Sequence, residues 1–152
     1  MYQNIVVGTD GSDTAAIAVR HAMALAQAGG GTLHVVHACE NVSLGLAAAA
    51  AGSGGPPVDL ERLNEGLRES GREVVDSVVA DGQRGGVTVV PHVVTGEPAD
   101  VLLTVAGQVD ADLIVVGNRG MSGMKRFMLG SVPNRISHHC NCNLLIVDTS
   151  KG

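Results

Sequence analysis

Five short apolar runs, separated by longer amphipathic stretches, predict an α/β domain. The expected form is a doubly wound five-stranded parallel sheet, order 3-2-1-4-5, with four helices on two faces. Three observations carry this. The runs are nearly continuous in aliphatic residues, as parallel strands buried on both faces are. The stretches between them place apolar residues at helical spacing. Residues that start and stop helices fall at their ends. No internal repeat is present, and residues 1–152 are expected to form one domain with a normal core.

Ile5-Val6-Val7 is the first strand. A helix over 13–28 follows, with Ser12 to cap it and Gly29-Gly30-Gly31 to end it. Leu33-His34-Val35-Val36 is the second strand. The rhythm then breaks. Leu44 to Pro57 is Ala- and Gly-rich and ends Gly52-Ser53-Gly54-Gly55-Pro56-Pro57, so about 41–57 reads as a flexible loop, either a flap beside a ligand site or a tolerated surface insertion. The second helix spans 59–81. There Leu60, Leu63, Leu67, Val74 and Val78 share one face, opposite Glu61, Glu65, Arg68, Glu69 and Arg72. Val87-Thr88-Val89-Val90 is the third strand, and Pro98 suits the first turn of a third helix over 98–109. Leu113-Ile114-Val115-Val116 is the fourth strand. A fourth helix over 131–140 can be capped by Ser131, with Pro133 tolerated in its first turn. Leu144-Leu145-Ile146-Val147 closes the sheet.

Composition narrows the function. The aromatics are Tyr2 and Phe127 alone, so the core is aliphatic and stacking platforms for single-stranded nucleic acid are disfavoured. The net charge of −5 argues the same way. Yet from Leu113 to Val147 there is no Asp or Glu, while Arg119, Lys125, Arg126 and Arg135 all fall there. An acidic chain with one acid-free basic window has a region suited to anions. Cys39, Cys140 and Cys142 are odd in number, and Cys140-Asn141-Cys142 is too tight for an ordinary bridge, so a reducing cytoplasm fits best. Met1-Tyr2-Gln3-Asn4-Ile5 lacks a basic leader, and no uncharged apolar stretch reaches the roughly 18 to 20 residues of a membrane span.

The site is expected beyond the carboxyl ends of the first and fourth strands, where strand order reverses. Gly8-Thr9-Asp10-Gly11-Ser12 and Gly117-Asn118-Arg119-Gly120 follow those strands. Gly117 and Gly120 leave room for phosphate oxygens to reach backbone N–H groups. Gly130 and Ser131 open the last helix, whose first N–H groups and partial positive charge favour an anion. The Ser131 hydroxyl can bond a phosphate oxygen, cap the helix, or do both. Asp10 can hold a water on a phosphate-bound Mg²⁺, contact a ribose hydroxyl, or cap the first helix. Neither a Walker A loop nor a dinucleotide fingerprint is present.

These segments resemble the universal stress protein family. The match is Gly117-x2-Gly120-x9-Gly130-Ser131, joined by Val6-Val7-Gly8-Thr9-Asp10-Gly11-Ser12, Gly96-Glu97-Pro98 and Asp112-Leu113-Ile114-Val115-Val116-Gly117. It spans nearly the whole chain apart from the Ala/Gly loop. The resemblance implies an ATP-binding stress or signalling protein with little or no hydrolysis, forming a homodimer partly through the last strand. It places phosphates on Gly117, Asn118, Arg119, Gly120, Met121, Ser122, Gly123, Gly130 and Ser131, with Val132 in the same nucleotide site and Asp10 near the ribose or the metal. It places adenine near Val36-His37-Ala38 and Gly8-Thr9. A cyclic-AMP binder of the same family and a weak ATPase are the alternatives. His138-His139-Cys140-Asn141-Cys142-Asn143 departs from the family, which usually has Pro around a single Cys there. Those imidazoles and thiols are the right atoms for zinc, but consecutive His residues face different sides of a helix and no second ligand cluster is evident. Met121, Met124 and Met128 read as flexible packing.

Overall fold

A computed structural model describes residues 1–118 and 129–150. The elements run β1 (Asn4–Gly8), α1 (Asp13–Gly29), β2 (Thr32–Cys39), α2 (Leu44–Ala51), α3 (Leu60–Gly85), β3 (Thr88–Thr95), α4 (Pro98–Gln108), β4 (Leu113–Gly117), α5 (Ser131–His139) and β5 (Asn143–Val147). All strand pairs are parallel, in the order β3-β2-β1-β4-β5.

The sheet separates two aliphatic layers. Ile5, Val7, Leu33, Val35, Leu113 and Val115 pack against Ala18, Ala22 and Ala26 of α1 and Val75 and Val78 of α3. Val6, Val36, Ile114 and Val116 face Ala99, Val101, Leu102 and Val105 of α4 and Ile136 of α5. Both faces are covered, so each strand must be apolar on both sides. Each fully buried Val, Leu or Ile among them contributes about 1.5 to 3 kcal/mol.

Caps follow local chemistry. Ser12 caps α1, accepting from the Ala15 N–H, and Gly30 ends it at φ 67°. Asp59 caps α3 and Glu97 caps α4, with Pro98 in the first turn. β3 continues through Pro91 to Thr95, beyond the apolar run in the sequence. As an edge strand it loses no ladder bond to the missing N–H.

Two expectations need correction. The described residues hold five helices, not four, because Leu44–Ala51 within the expected 41–57 loop is helical. Its alanines have the strongest helix propensity of any residue, and Ser43 bonds the Leu46 N–H at its start. Gly52 and the Gly and Pro residues after it mark that helix's carboxyl end. Ser131 is also not a cap. Gly130 holds the cap position of α5, and no side chain bonds there.

Candidate functional site

β1 and β4 are neighbours whose chains leave toward opposite faces, so a cleft opens at their carboxyl ends. Its floor is aliphatic, from Val36 and Ala38 of β2, Val116 of β4 and Leu102 of α4. Gly8, Thr9 and Asp10 form one wall, with Ala15 behind them, and Gly117, Gly130, Ser131, Val132 and Pro133 form the other. Pro98 completes the rim.

The turn after β1 is held at several points. The Thr9 N–H donates to the Val36 carbonyl at 2.9 Å. The Thr9 hydroxyl accepts from the Gly11 N–H at 3.2 Å. Gly11 sits at φ 79°, left-handed backbone that favours glycine, and an added Cβ would lie 3.0 Å from Val74 Cγ2 of α3. Asp10 Oδ1 accepts both the Ser12 N–H, at 3.0 Å, and the Ser12 hydroxyl, at 2.5 Å. Asp10 thus braces the residue that caps α1, while itself exposed on the cleft wall. Its second oxygen, Oδ2, accepts from none of the described residues.

The opposite wall is a helix start. The Asn134 N–H donates to the Gly130 carbonyl at 3.1 Å, the first helical bond of α5. Pro133 has no N–H. Among the described residues the N–H groups of Ser131 and Val132 are therefore left unbonded at the positive end of α5. The Gly130 N–H is used: it donates to the Asn118 carbonyl at 3.0 Å.

Of the residues expected at the site, Gly8, Thr9, Asp10, Val36, Ala38, Gly117, Gly130, Ser131 and Val132 line the cleft. Gly11 and Ser12 stand behind it. Arg119, Gly120, Met121, Ser122 and Gly123 lie outside the described residues. Two others are placed elsewhere. His37 faces α3, its Nδ1 bonded to the Thr9 carbonyl at 3.0 Å, because alternation along β2 sends Val36 and Ala38 to the cleft side and residue 37 to the other. Asn118 turns to the chain end. Its Oδ1 accepts from the Thr149 N–H at 3.0 Å and hydroxyl at 2.8 Å, and its Nδ2 donates to Asp148 at 3.1 Å.

Ala15, Pro98, Leu102, Val116 and Pro133 also line the cleft and were not read from sequence. Strand parity offered a signal for Val116. The Gly96-Glu97-Pro98 turn offered one for Pro98 and Leu102, since it starts a helix at the same end of the sheet. Elsewhere, among the described residues, no three His, Cys, Asp or Glu side chains are grouped to hold a metal. His138 and His139 are exposed, and His139 Nδ1 bonds the Arg135 carbonyl at 2.8 Å. Burial first, then the nearby Cys140 and Asp112, pushes the Cys142 thiol above its usual range. No described helix is long and apolar enough to cross a membrane.

Sequence and fold comparisons agree with this geometry. Residues 1–148 match the universal stress protein family. Universal stress protein MJ0531 of Methanocaldococcus jannaschii is 32% identical over 151 residues, covering 99% of this chain and 85% of that protein. A universal stress protein solved in complex with cAMP superposes with a TM-score of 0.72 at 31% identity, covering 98% of this chain and 99% of that one. The universal stress protein from Archaeoglobus fulgidus, solved with dAMP, gives a TM-score of 0.65 at 25% identity, covering 97% and 98%. With the sheet order, the cleft at its switch point and a match over nearly its whole length in agreement, the chain belongs to the universal stress protein family.

Proposed function

We propose that this chain binds an adenine nucleotide in the cleft, taking ATP with Mg²⁺, and acts as a stress or signalling protein with little or no hydrolysis. The observation that carries the reading is the pairing of an aliphatic floor with unbonded N–H donors at the start of α5. Val36, Ala38, Leu102 and Val116 offer a flat apolar base site. The Ser131 and Val132 N–H groups, with the α5 dipole, offer a phosphate site. Relatives solved with cAMP and dAMP support adenine as the base.

Asp10 Oδ2 has room to accept from a Mg²⁺-bound water or a ribose hydroxyl; the metal would be carried mainly by the phosphates. Hydrolysis requires a base at an attacking water. Asp10 is the one carboxylate among the described lining residues, and Ser12 already occupies its Oδ1. A cyclic-AMP reading is favoured by the relative solved with that ligand. Its single phosphate would use the same α5 donors without a metal. We also propose a homodimer through β5, an edge strand whose outer side pairs with no strand among the described residues. A cytoplasmic location fits three free cysteines.

Calorimetric titration with ATP, AMP and cyclic AMP, with and without Mg²⁺, tests the ligand. ATP is expected to bind most tightly and to gain from Mg²⁺. Tighter binding of cyclic AMP, indifferent to Mg²⁺, would select the second reading, and no binding of any of them would remove both. Sedimentation at micromolar concentration tests the dimer.

A further inference from the structure

We infer that His37, on the far side of the sheet from the cleft, is the residue that positions the Asp10 peptide for ligand. The inference rests on the nucleotide reading and adds a positioning residue that touches no ligand. Its basis is the bond from His37 Nδ1 to the Thr9 carbonyl, 3.0 Å long. A carbonyl only accepts, so Nδ1 carries the hydrogen. The Thr9–Asp10 peptide is planar and trans, with C=O and N–H pointing to opposite sides. Holding the Thr9 oxygen on the α3 side therefore turns the Asp10 N–H toward the cleft. Among the described residues nothing accepts that N–H.

The rest of the turn does not fix this peptide. The Thr9 N–H and hydroxyl hold the peptides on either side, through Val36 and Gly11. Among the described residues only His37 grips the carbonyl. The chain makes room for the ring. A Cβ at Gly71 of α3 would lie 2.6 Å from His37 Cδ2, so α3 can pass over the imidazole only with glycine there. That is a cradle shaped to the ring at the level of the turn.

The test compares His37→Leu, which keeps bulk without a donor, with His37→Asn, whose Nδ2 sits where Nδ1–H sits. ATP affinity is read by calorimetry, and the order parameter of the Asp10 N–H is read by ¹⁵N relaxation in unliganded protein. His37→Leu is expected to bind at least about tenfold more weakly, with a lower Asp10 order parameter and unchanged secondary structure by circular dichroism. His37→Asn is expected within about threefold of the parent on both measures. If His37→Leu does not fold, His37→Met replaces it, an adaptable side chain that likewise carries no N–H donor. Parent-like affinity in the donorless variant, or equal weakness in His37→Asn, overturns the inference. If the parent binds no nucleotide, the functional reading has failed by itself. The Asp10 order parameter then decides alone, and equal values in parent and His37→Leu overturn the positioning role.

Discussion

Replacing Gly8 with Ala tests the cleft with a single methyl group. Gly8 ends β1, and an added Cβ would lie 2.9 Å from Leu102 Cδ1, 3.4 Å from Cδ2 and 3.6 Å from Cγ. Leu102 is 3% exposed and lines the cleft floor, so its open side is the cleft. The methyl pushes the leucine tip there by a few tenths of an ångström or more. Overpacking a core costs about 1 to 3 kcal/mol, and a flexible side-chain tip with free space lies at the low end. Gly8 is not in left-handed backbone, so the gain of about 0.4 to 1 kcal/mol from a stiffer unfolded chain offsets much of that. Net destabilisation is expected below about 1 kcal/mol, or roughly 2 to 4 °C in Tm. Binding suffers more. A ligand base resting on the floor loses about 1.4 kcal/mol, which is about tenfold in Kd. Urea unfolding and nucleotide titration of the same preparation separate the two quantities. Parent-like affinity in a folded variant refutes the placement of a ligand on this floor. A loss above about 3 kcal/mol refutes the freedom assigned to Leu102.

Gly31→Ala is the control: its Cβ would meet the main-chain oxygens of Tyr2 at 2.6 Å and Gln3 at 3.0 Å, which cannot swing aside, so stability falls by about 2 kcal/mol or more while affinity holds, since this is the end of the sheet away from the cleft. Asn118→Ala removes three hydrogen bonds and strands the buried Thr149 hydroxyl, so urea unfolding is expected to show a loss of about 2 to 3 kcal/mol and faster amide exchange after β5. His34 Nδ1 and His92 Nε2 are 3.1 Å apart, and burial, with His92 adding for His34, holds both rings below the ordinary value of 6.5. The unfolded chain then takes up protons first, so stability is full above about pH 6.5 and falls as the pH drops below it; urea midpoints between pH 7.5 and 5.5 should fall, less steeply in His92→Gln, and a flat profile would contradict the lowered rings.

Much of this architecture was legible because physical pattern and fold coincide. Strands such as Ile5-Val6-Val7 and Leu113-Ile114-Val115-Val116 are apolar on both faces because both faces are covered. That same property hid the direction of His37. With no polar face to mark alternation, residue 37 read as a neighbour of the ligand, although Val36 and Ala38 had already taken that side. α2 was hidden for another reason. Its alanines form a helix only eight residues long, and the Gly and Pro residues around them dominate a composition-based reading. Asn118 looked like part of a phosphate loop because its partners, Asp148 and Thr149, are about thirty residues away. Only the pairing of β4 with β5 brings them beside it.

The bond between the Gly130 amide and the Asn118 carbonyl has a consequence for how this scaffold can change. It staples the exit of one strand to the entrance of one helix, so whatever peptide joins them begins and ends at fixed points. Doubling the length of such a tether costs only about 0.6 kcal/mol. The connection can therefore be exchanged like a cartridge while sheet and helix keep their places.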